Sequence, residues 1–235
     1  MTLLEKLRSR WRALGRIGGM GGMGRLGRIV LYTSLLLPGA ARAGAYEEYF
    51  QAIRMDNVYF LKQLMQRGMG PNLIEPKRGY TGLMLSIRED SMKAFEVLVN
   101  APDVNLEAQA TNGDTPLMLA SFYGNIPVVK LLLSREVEVN RPGWTALHYA
   151  AINGSSEIVK LLLDASAYVD AESPDDKMTP VMLAAMRGRV AAVEVLRDNG
   201  ADLTLKNKDG LTAMDLARRY GQEGVIDALN EKPRQ

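Results

Sequence analysis

The stretch GWTALHYAA, residues 143–151, contains the only histidine of the 235-residue chain, His148, close to Trp144 and Tyr149. Histidine is the side chain that most often serves as a general base or metal ligand near neutral pH. Such sites also need partner groups, and the chain contains no cysteine. This excludes disulfides, thiolate catalysis and cysteine zinc sites. The composition therefore leaves His148 few partners for triad or transition-metal chemistry.

Two other groups could suggest chemistry. Asp175 and Asp176 are adjacent carboxylates, but their segment, AESPDDKMT, is typical of a solvated acidic loop. The glycine cluster GGMGGMG lacks a preceding strand and a closing Gly-Lys-Ser/Thr, so it does not indicate a phosphate-binding loop. With no nucleophile–base–acid set, the sequence predicts no enzyme, no catalytic residue, no metal site and no cofactor.

The segment around His148 is one copy of a repeat. Short related segments begin at Thr81, Thr115, Thr145, Thr179 and Thr212, at intervals of 34, 30, 34 and 33 residues. The ninth residue after each threonine is Asp90, Gly124, Gly154, Gly188 or Gly221, and the seventeenth is Leu98, Leu132, Leu162, Leu196 or Leu229. A fixed period of this length indicates an array of small structural units.

Each unit reads as a pair of helices. Threonine is a favoured helix N-cap, and Pro116 and Pro180 occupy the next position, where proline is well tolerated. The glycine nine residues later suits the left-handed end of a short first helix. Apolar residues such as Ile158, Val159 and Leu162 then recur with helical spacing, which predicts a second, amphipathic helix. Turn-bounded segments between units favour short hairpin-like loops.

These residues and their spacing resemble the ankyrin repeat, whose signature is Thr-Pro-Leu-His-x-Ala and whose period is about 33 residues. The resemblance runs from about Ala45 to Asn230 and includes a degenerate first copy with Glu47 in the threonine position. It implies an all-α solenoid of about six helix-turn-helix repeats. We assign the domain to residues 44–235 and its repeats approximately to 45–78, 79–112, 113–142, 143–176, 177–209 and 210–233.

The resemblance implies a structural role for the residues that define the repeat motif. Thr81, Thr115, Thr145, Thr179 and Thr212 are assigned as structural, and His148 is expected to bond between neighbouring turns. Met84, Met118 and Met182 share one position of the motif, and we interpret them as a core stripe. The loop before Thr145 is three residues short and contains Pro142, so its tip is expected to be truncated.

Proteins of this family bind other proteins through the concave surface of loop tips and first helices. The resemblance places its solvent-facing positions just before each threonine and seven or eight residues after it. The predicted partner-binding residues are Tyr80, Asp114, Phe122, Tyr123, Trp144, Ile152, Met178, Met186, Leu211 and Tyr220. Exposed aromatic side chains often anchor partner sites, whereas the alternative is that some of them pack against neighbouring hairpins.

The first 43 residues have the layout of a secretory signal peptide. An Arg- and Gly-rich stretch precedes an apolar run, residues 29–37, and then small residues up to Ala43. We expect cleavage after Ala43, with Ala45 as an alternative, and the unusually long basic region gives Met23 as an alternative start. A mitochondrial transit peptide is the competing interpretation. The apolar run is too short for a stable membrane anchor.

Charge also separates the leader from the rest. The leader carries eight basic residues and one acidic residue, whereas residues 44–235 carry 21 basic and 26 acidic residues. An acidic body argues against nucleic-acid binding. The sequence therefore predicts an exported, periplasmic or secreted, monomeric scaffold of bacterial type that binds another protein. A secreted effector or a mitochondrial adaptor would use the same surface.

Overall fold

The computed structural model describes residues 44–232. The chain divides into two units, Met1–Glu47 and Glu48–Gln235, and all of the described residues except 44–47, the start of the first helix, belong to the second unit. The predicted leader, with its alternative start at Met23 and its cleavage position at Ala43, lies outside the described residues. No helix within residues 44–232 combines the length and the apolar character needed to cross a bilayer.

The described residues contain twelve helices and no named strand, which confirms the all-α prediction. Consecutive helices form six pairs, and within each pair the first helix leads into the second through a turn. The pairs are α1 44–54 and α2 Val58–Gln66; α3 Gly82–Arg88 and α4 Met92–Val99; α5 Pro116–Tyr123 and α6 Ile126–Ser134; α7 Ala146–Asn153 and α8 Ser156–Asp164; α9 Pro180–Met186 and α10 Val190–Asp198; α11 Ala213–Arg219 and α12 Glu223–Asn230.

Threonine begins five of the first helices. The hydroxyl oxygens of Thr81, Thr115, Thr145 and Thr212 each accept a hydrogen bond from the backbone N–H three residues later. This satisfies one of the free donors at each helix start. Thr179 also occupies the N-cap, but its hydroxyl makes no capping bond and is buried without a partner. The prediction of a side-chain cap was therefore wrong for this repeat.

The turn between the two helices of a pair needs a left-handed residue, as the glycine spacing predicts. Gly124 and Gly154 end α5 and α7 with φ angles of 73° and 91°. Asp90 occupies the equivalent position after α3 with φ 56°, and Asp56 follows α1 with φ 49°. Asp56 Oδ1 accepts a hydrogen bond from Ala94 N at 2.7 Å, so its carboxylate also ties the first repeat to the second.

The core lies between neighbouring helix pairs. From α3 onward, each first helix packs against the first helix of the next repeat, and most second helices pack in the same way. Leu98, Leu132, Leu162 and Leu196 are fully buried at the shared position of the second helices. Met84, Met118 and Met182 are also buried, which confirms their interpretation as core. Because no helix pair of this size buries its own apolar face, stability is shared along the row.

Short loops join the repeats, and most are closed by one backbone hydrogen bond. The bonds run from Glu75 N to Tyr80 O, Ala110 N to Asp114 O, Ser173 N to Met178 O and Asn207 N to Leu211 O, at 2.7–3.0 Å. Among the described residues, the loop before Thr145 has no equivalent bond. It is three residues shorter, and Pro142 has no N–H to donate. This loop therefore leaves a recess between its neighbours.

Candidate functional site

His148 lies at the start of α7 and connects two repeats. Its Nδ1 accepts a hydrogen bond from Thr145 N at 3.1 Å and lies 2.8 Å from Thr145 Oγ1. Because Nδ1 accepts, the proton is assigned to Nε2, which donates to Met178 O at 3.1 Å in the next loop. The ring is fully buried. His148 thus completes the helix cap and fixes the following loop, with no ring nitrogen left for an external proton or metal.

The surroundings of His148 favour its neutral form. Burial lowers the pKa of the imidazole, and this effect exceeds the opposing influence of its backbone hydrogen bonds, to Met178 first and then Ala171. Asp215 holds the same position in the last repeat and also accepts from its cap, Thr212 N, at 3.0 Å. There the backbone and hydroxyl hydrogen bonds of Thr212 lower the pKa of the carboxyl. The position is therefore structural with either a neutral or an anionic side chain.

Four aromatic side chains of the third and fourth repeats form a chain of ring contacts, which we name the aromatic cluster: Phe122, Tyr123, Trp144 and Tyr149. The centroids of Trp144 and Tyr149 are 5.7 Å apart, and those of Tyr149 and Phe122 are also 5.7 Å apart, edge to face. Phe122 and Tyr123 meet at 5.2 Å. These distances are those of favourable aromatic pairs. Tyr149 thus connects three of the predicted residues, Trp144, Phe122 and Tyr123.

The aromatic cluster has exposed and anchored members. Phe122 and Tyr123 are 41% and 43% exposed, although large aromatic side chains are usually buried. The Tyr149 hydroxyl donates to Asp114 Oδ1 at 2.6 Å. Burial, followed by this hydrogen bond and the Asp114 charge, raises the pKa of Tyr149. Asp114 also accepts from Asn112 Nδ2 at 2.7 Å, so it is held from two sides.

The structure corrects three of the predicted solvent-facing residues. Tyr80, Asp114 and Met178 are buried, with exposed fractions of 9%, 6% and 7%. Each precedes a threonine, and its carbonyl accepts the backbone hydrogen bond that closes the loop. The Asp114 carboxylate also accepts a hydrogen bond from Tyr149 in the next repeat. The Met178 carbonyl oxygen also accepts the hydrogen bond from His148 Nε2. Met178 Sδ lies 3.4 Å from Asn207 Nδ2 in the next loop. The expectation that these three face solvent was wrong.

The other predicted residues are more accessible. Phe122, Tyr123 and Tyr220 are exposed, and Trp144, Ile152, Met186 and Leu211 are partly buried. The structure brings Trp144, Phe122 and Tyr123 together through Tyr149. Their role in partner binding stays a prediction.

Sequence reasoning missed two residues. Tyr149 stands four residues after its threonine, where the other four motifs have Leu85, Leu119, Leu183 and Leu216. Arg197 stands where the preceding repeats have Val99, Leu133 and Leu163. Its guanidinium is buried, donates to Ala228 O in the last helix and pairs with Asp198 at 2.7 Å. In both cases the signal was a polar side chain at an otherwise apolar position of the repeat.

A cleft of about 380 Å³ occupies the recess beside the short loop that precedes Thr145. Trp144, Pro142, Pro174 and Met118 form its apolar lining, and Asp114 and Glu138 are among its polar residues. Arg141 also lines it and donates from Nε to Glu138 Oε2 at 2.6 Å, with Glu107 Oε2 3.8 Å from Nη2. Its Nη1 is buried and has no hydrogen-bond partner. The cleft thus places the Trp144 ring beside charged loop residues.

Within the described residues, no group of three or more histidine and carboxylate side chains is arranged to hold a metal ion. Asp175 and Asp176 are exposed at a loop tip, as expected of a solvated acidic loop. The site is therefore a surface of aromatic and charged side chains on a repeat framework.

Comparison with known proteins matches this architecture. A family model described as ankyrin repeats (3 copies) matches residues 49–142, 102–175 and 167–234. The ankyrin repeat domain of Bcl-3, described as a unique member of the IkappaB protein family, superposes with a TM-score of 0.63 and 28% identity, covering 78% of this chain and 81% of that one.

Curated relatives match over shorter segments. Tyrosine-protein kinase Shark of Drosophila melanogaster is 30% identical over 156 residues, which is 64% of this chain and 16% of that protein. Human ankyrin repeat and KH domain-containing protein 1 is 39% identical over 106 residues, 43% of this chain and 4% of that protein. The chain therefore spans only a small part of the curated relatives it matches. The repeat period, the helix pairs and the family match together establish that this chain belongs to the ankyrin-repeat family.

Proposed function

We propose that this protein is an exported, non-catalytic scaffold that binds one partner protein through the aromatic cluster and the adjacent loop tips. Ankyrin repeats generally mediate protein–protein interaction and are generally a non-catalytic fold. The observation that carries the proposal for this chain is the aromatic cluster itself. Two of its rings, Phe122 and Tyr123, stay more than two-fifths exposed. Phe122 contacts both Tyr123 and the anchored Tyr149.

The cluster combines properties of a binding hot spot. Tyrosine and tryptophan are enriched among residues that dominate binding energy, especially where their conformation is fixed before binding. Tyr149 is fixed by Asp114, and Trp144 lies against the rings of His148 and Tyr149 at 5.3 and 5.7 Å. A partner that covers Phe122 and Tyr123 would therefore bury apolar area with little loss of side-chain freedom.

The double substitution Tyr123→Ala with Trp144→Ala tests this surface. The full-length tagged protein is used for crosslinking and pull-down from its native compartment. We expect partner capture to fall at least about tenfold, because the two side chains are aromatic anchors of the surface. The control is Tyr59→Ala with Tyr168→Ala, which removes two tyrosines that are 75% and 69% exposed outside the cluster.

The helical circular dichroism of both variants should equal that of the unsubstituted protein. Capture that persists in the Tyr123/Trp144 variant would show that the partner binds elsewhere. An equal loss in the Tyr59/Tyr168 control would show that the effect is not specific to the cluster.

Export is proposed from the leader sequence alone. Its basic, apolar and small-residue regions follow one another in the order that secretion requires. N-terminal sequencing of the mature protein should begin at Gly44 or Tyr46. An uncleaved chain in the cytoplasm would contradict the export proposal and would leave the binding proposal unaffected.

A further inference from the structure

We infer that the segment of the partner that binds the aromatic cluster is basic, with a lysine or arginine side chain placed against Trp144. This inference rests on the proposed function and adds the chemistry of the occupant. Its evidence is the distribution of charge among the repeats and the position of the acidic loop residues beside Trp144.

The negative charge of the repeat domain is concentrated in the two repeats that carry the cluster. Residues 113–176 contain nine acidic and four basic residues, a net charge of −5. Residues 177–233 contain eight acidic and nine basic residues, a net charge of +1. The net charge of residues 44–235 is also −5, so the third and fourth repeats account for it. Charge complementarity therefore favours a cationic partner at these repeats.

The basic residues of these two repeats lie mainly away from the loops. Lys130 and Lys160 are in the second helices, and Arg135 follows the end of α6. Arg141 alone belongs to a loop, and it is bonded to Glu138 with Glu107 nearby. By contrast, Glu138, Glu172, Asp175 and Asp176 are exposed loop residues. The loop side of these repeats therefore presents four exposed carboxylates against three neighbouring cations. The cations are Arg141, the exposed Lys177 that directly follows Asp176, and Lys208, whose Nζ lies 3.4 Å from the Asp175 carbonyl oxygen.

The acidic loop lies next to the tryptophan. Pro174, which directly precedes Asp175 and Asp176, lines the same cleft as Trp144 and Pro142. A Cβ built on Gly143 would lie 3.9 Å from Pro174 Cγ, so the two loops are in near contact. A cation over an aromatic face is attracted by the ring, and tryptophan binds it best. A basic side chain in this cleft would meet the Trp144 indole together with Asp114 and Glu138, the two acidic residues of the lining.

The test uses two dye-labelled peptides as probes, one alternating arginine and leucine and the other alternating glutamate and leucine. The full-length protein carries Trp11→Phe, which leaves Trp144 as its sole tryptophan. We expect the arginine peptide to bind saturably, to change the fluorescence of Trp144, and to bind more weakly as ionic strength rises. The glutamate peptide should leave the fluorescence of Trp144 unchanged, even where it binds the eight basic residues of the leader.

Charge-neutralising variants locate the effect. Asp175→Asn with Asp176→Asn should raise the Kd of the arginine peptide about fivefold, since each exposed charge contributes modestly. Both backbone carbonyls that contact Lys208 are retained in this variant. The matched control, Glu157→Gln with Asp164→Asn, makes the same charge change on α8 and should leave the Kd unchanged.

Three results would overturn the inference: an equal change of the Trp144 fluorescence with the two peptides, equal effects of the two charge variants, or an unchanged Trp144 signal at saturation with the arginine peptide. These failures differ from failure of the proposed function. If the Tyr123/Trp144 variant loses its natural partner while the Asp175/Asp176 variant retains it fully, the scaffold function stands and the basic-partner inference falls.

Discussion

The third and fourth repeats share a framework with the fifth and sixth, and the two halves differ in what they present to solvent. Leu162 and Leu196 are fully buried at the same position of their second helices, in α8 and α10. Yet the earlier pair carries the aromatic cluster and a net charge of −5, whereas the later pair has a net charge of +1. The spacing of the buried residues thus defines the fold, and the residues between them define the surface of each repeat.

The largest expected effect tests whether the framework is the same in both halves. Leu162→Ala and Leu196→Ala each remove a fully buried side chain from an equivalent position. Each should lower the free energy of unfolding by about 3 kcal/mol, because a cavity replaces the leucine. Urea denaturation followed by far-UV circular dichroism measures both losses. If one substitution were tolerated with less than a third of the loss of the other, the two halves would not share one packing arrangement.

The framework was largely predictable from local sequence, because its signals repeat. Threonine caps and the residues nine positions later depend on backbone geometry within one repeat, and the structure has helices beginning at Gly82, Pro116 and Ala146 as expected. The exposure of Tyr80, Asp114 and Met178 was predicted wrongly, because it depends on contacts with the next repeat. Such contacts join residues about 30 positions apart, as between His148 and Met178, and one repeat cannot reveal them.

The candidate site was predictable only in part, for the same reason. The sequence predicts Phe122, Tyr123 and Trp144 as surface residues, because the resemblance places solvent-facing residues at their positions. In the structure Phe122 and Tyr123 are exposed and Trp144 is partly buried. Tyr149 was missed because its position is otherwise leucine, although it provides the link between Trp144 and Phe122. A search for residue types that depart from the repeat at buried positions would have found both Tyr149 and Arg197.

The next effect concerns pH and separates the fourth repeat from the sixth. Burial lowers the pKa of folded His148 below 6.5, so the unfolded state binds a proton at higher pH than the folded state. Stability from this site is therefore present above pH 6.5 and is lost as pH falls below it, by up to about 1.4 kcal/mol per pH unit. Asp215 has a lowered carboxyl pKa, so its contribution is present above pH 3.8 and is lost only as pH falls below that value.

Thermal unfolding between pH 7.5 and pH 5, on the order of two pH units, measures this difference. The melting temperature of the unsubstituted protein should fall across this range, and His148→Gln should remove most of the dependence while lowering the melting temperature at pH 7.5. A dependence that persists unchanged in His148→Gln would assign it to another group. Asp215→Asn should leave the dependence above pH 5 intact.

The smallest expected effect is a gain, and it would make the fifth repeat resemble the fourth. Thr179 is an N-cap whose buried hydroxyl has no partner, and Met182 stands three residues later, where the fourth repeat has His148. Met182→His would place an imidazole where it can bond to Thr179 and to the Leu211 carbonyl, the equivalent of Met178 O. We expect about 1 kcal/mol of added stability from the completed cap, measured by urea denaturation. Met182→Gln, which is of similar size but lacks the ring, is the control. A loss of stability in Met182→His would contradict this expectation. It would show that the core of the fifth repeat packs around the methionine side chain in a way that does not accept an imidazole, so the fourth and fifth repeats are not interchangeable at this position.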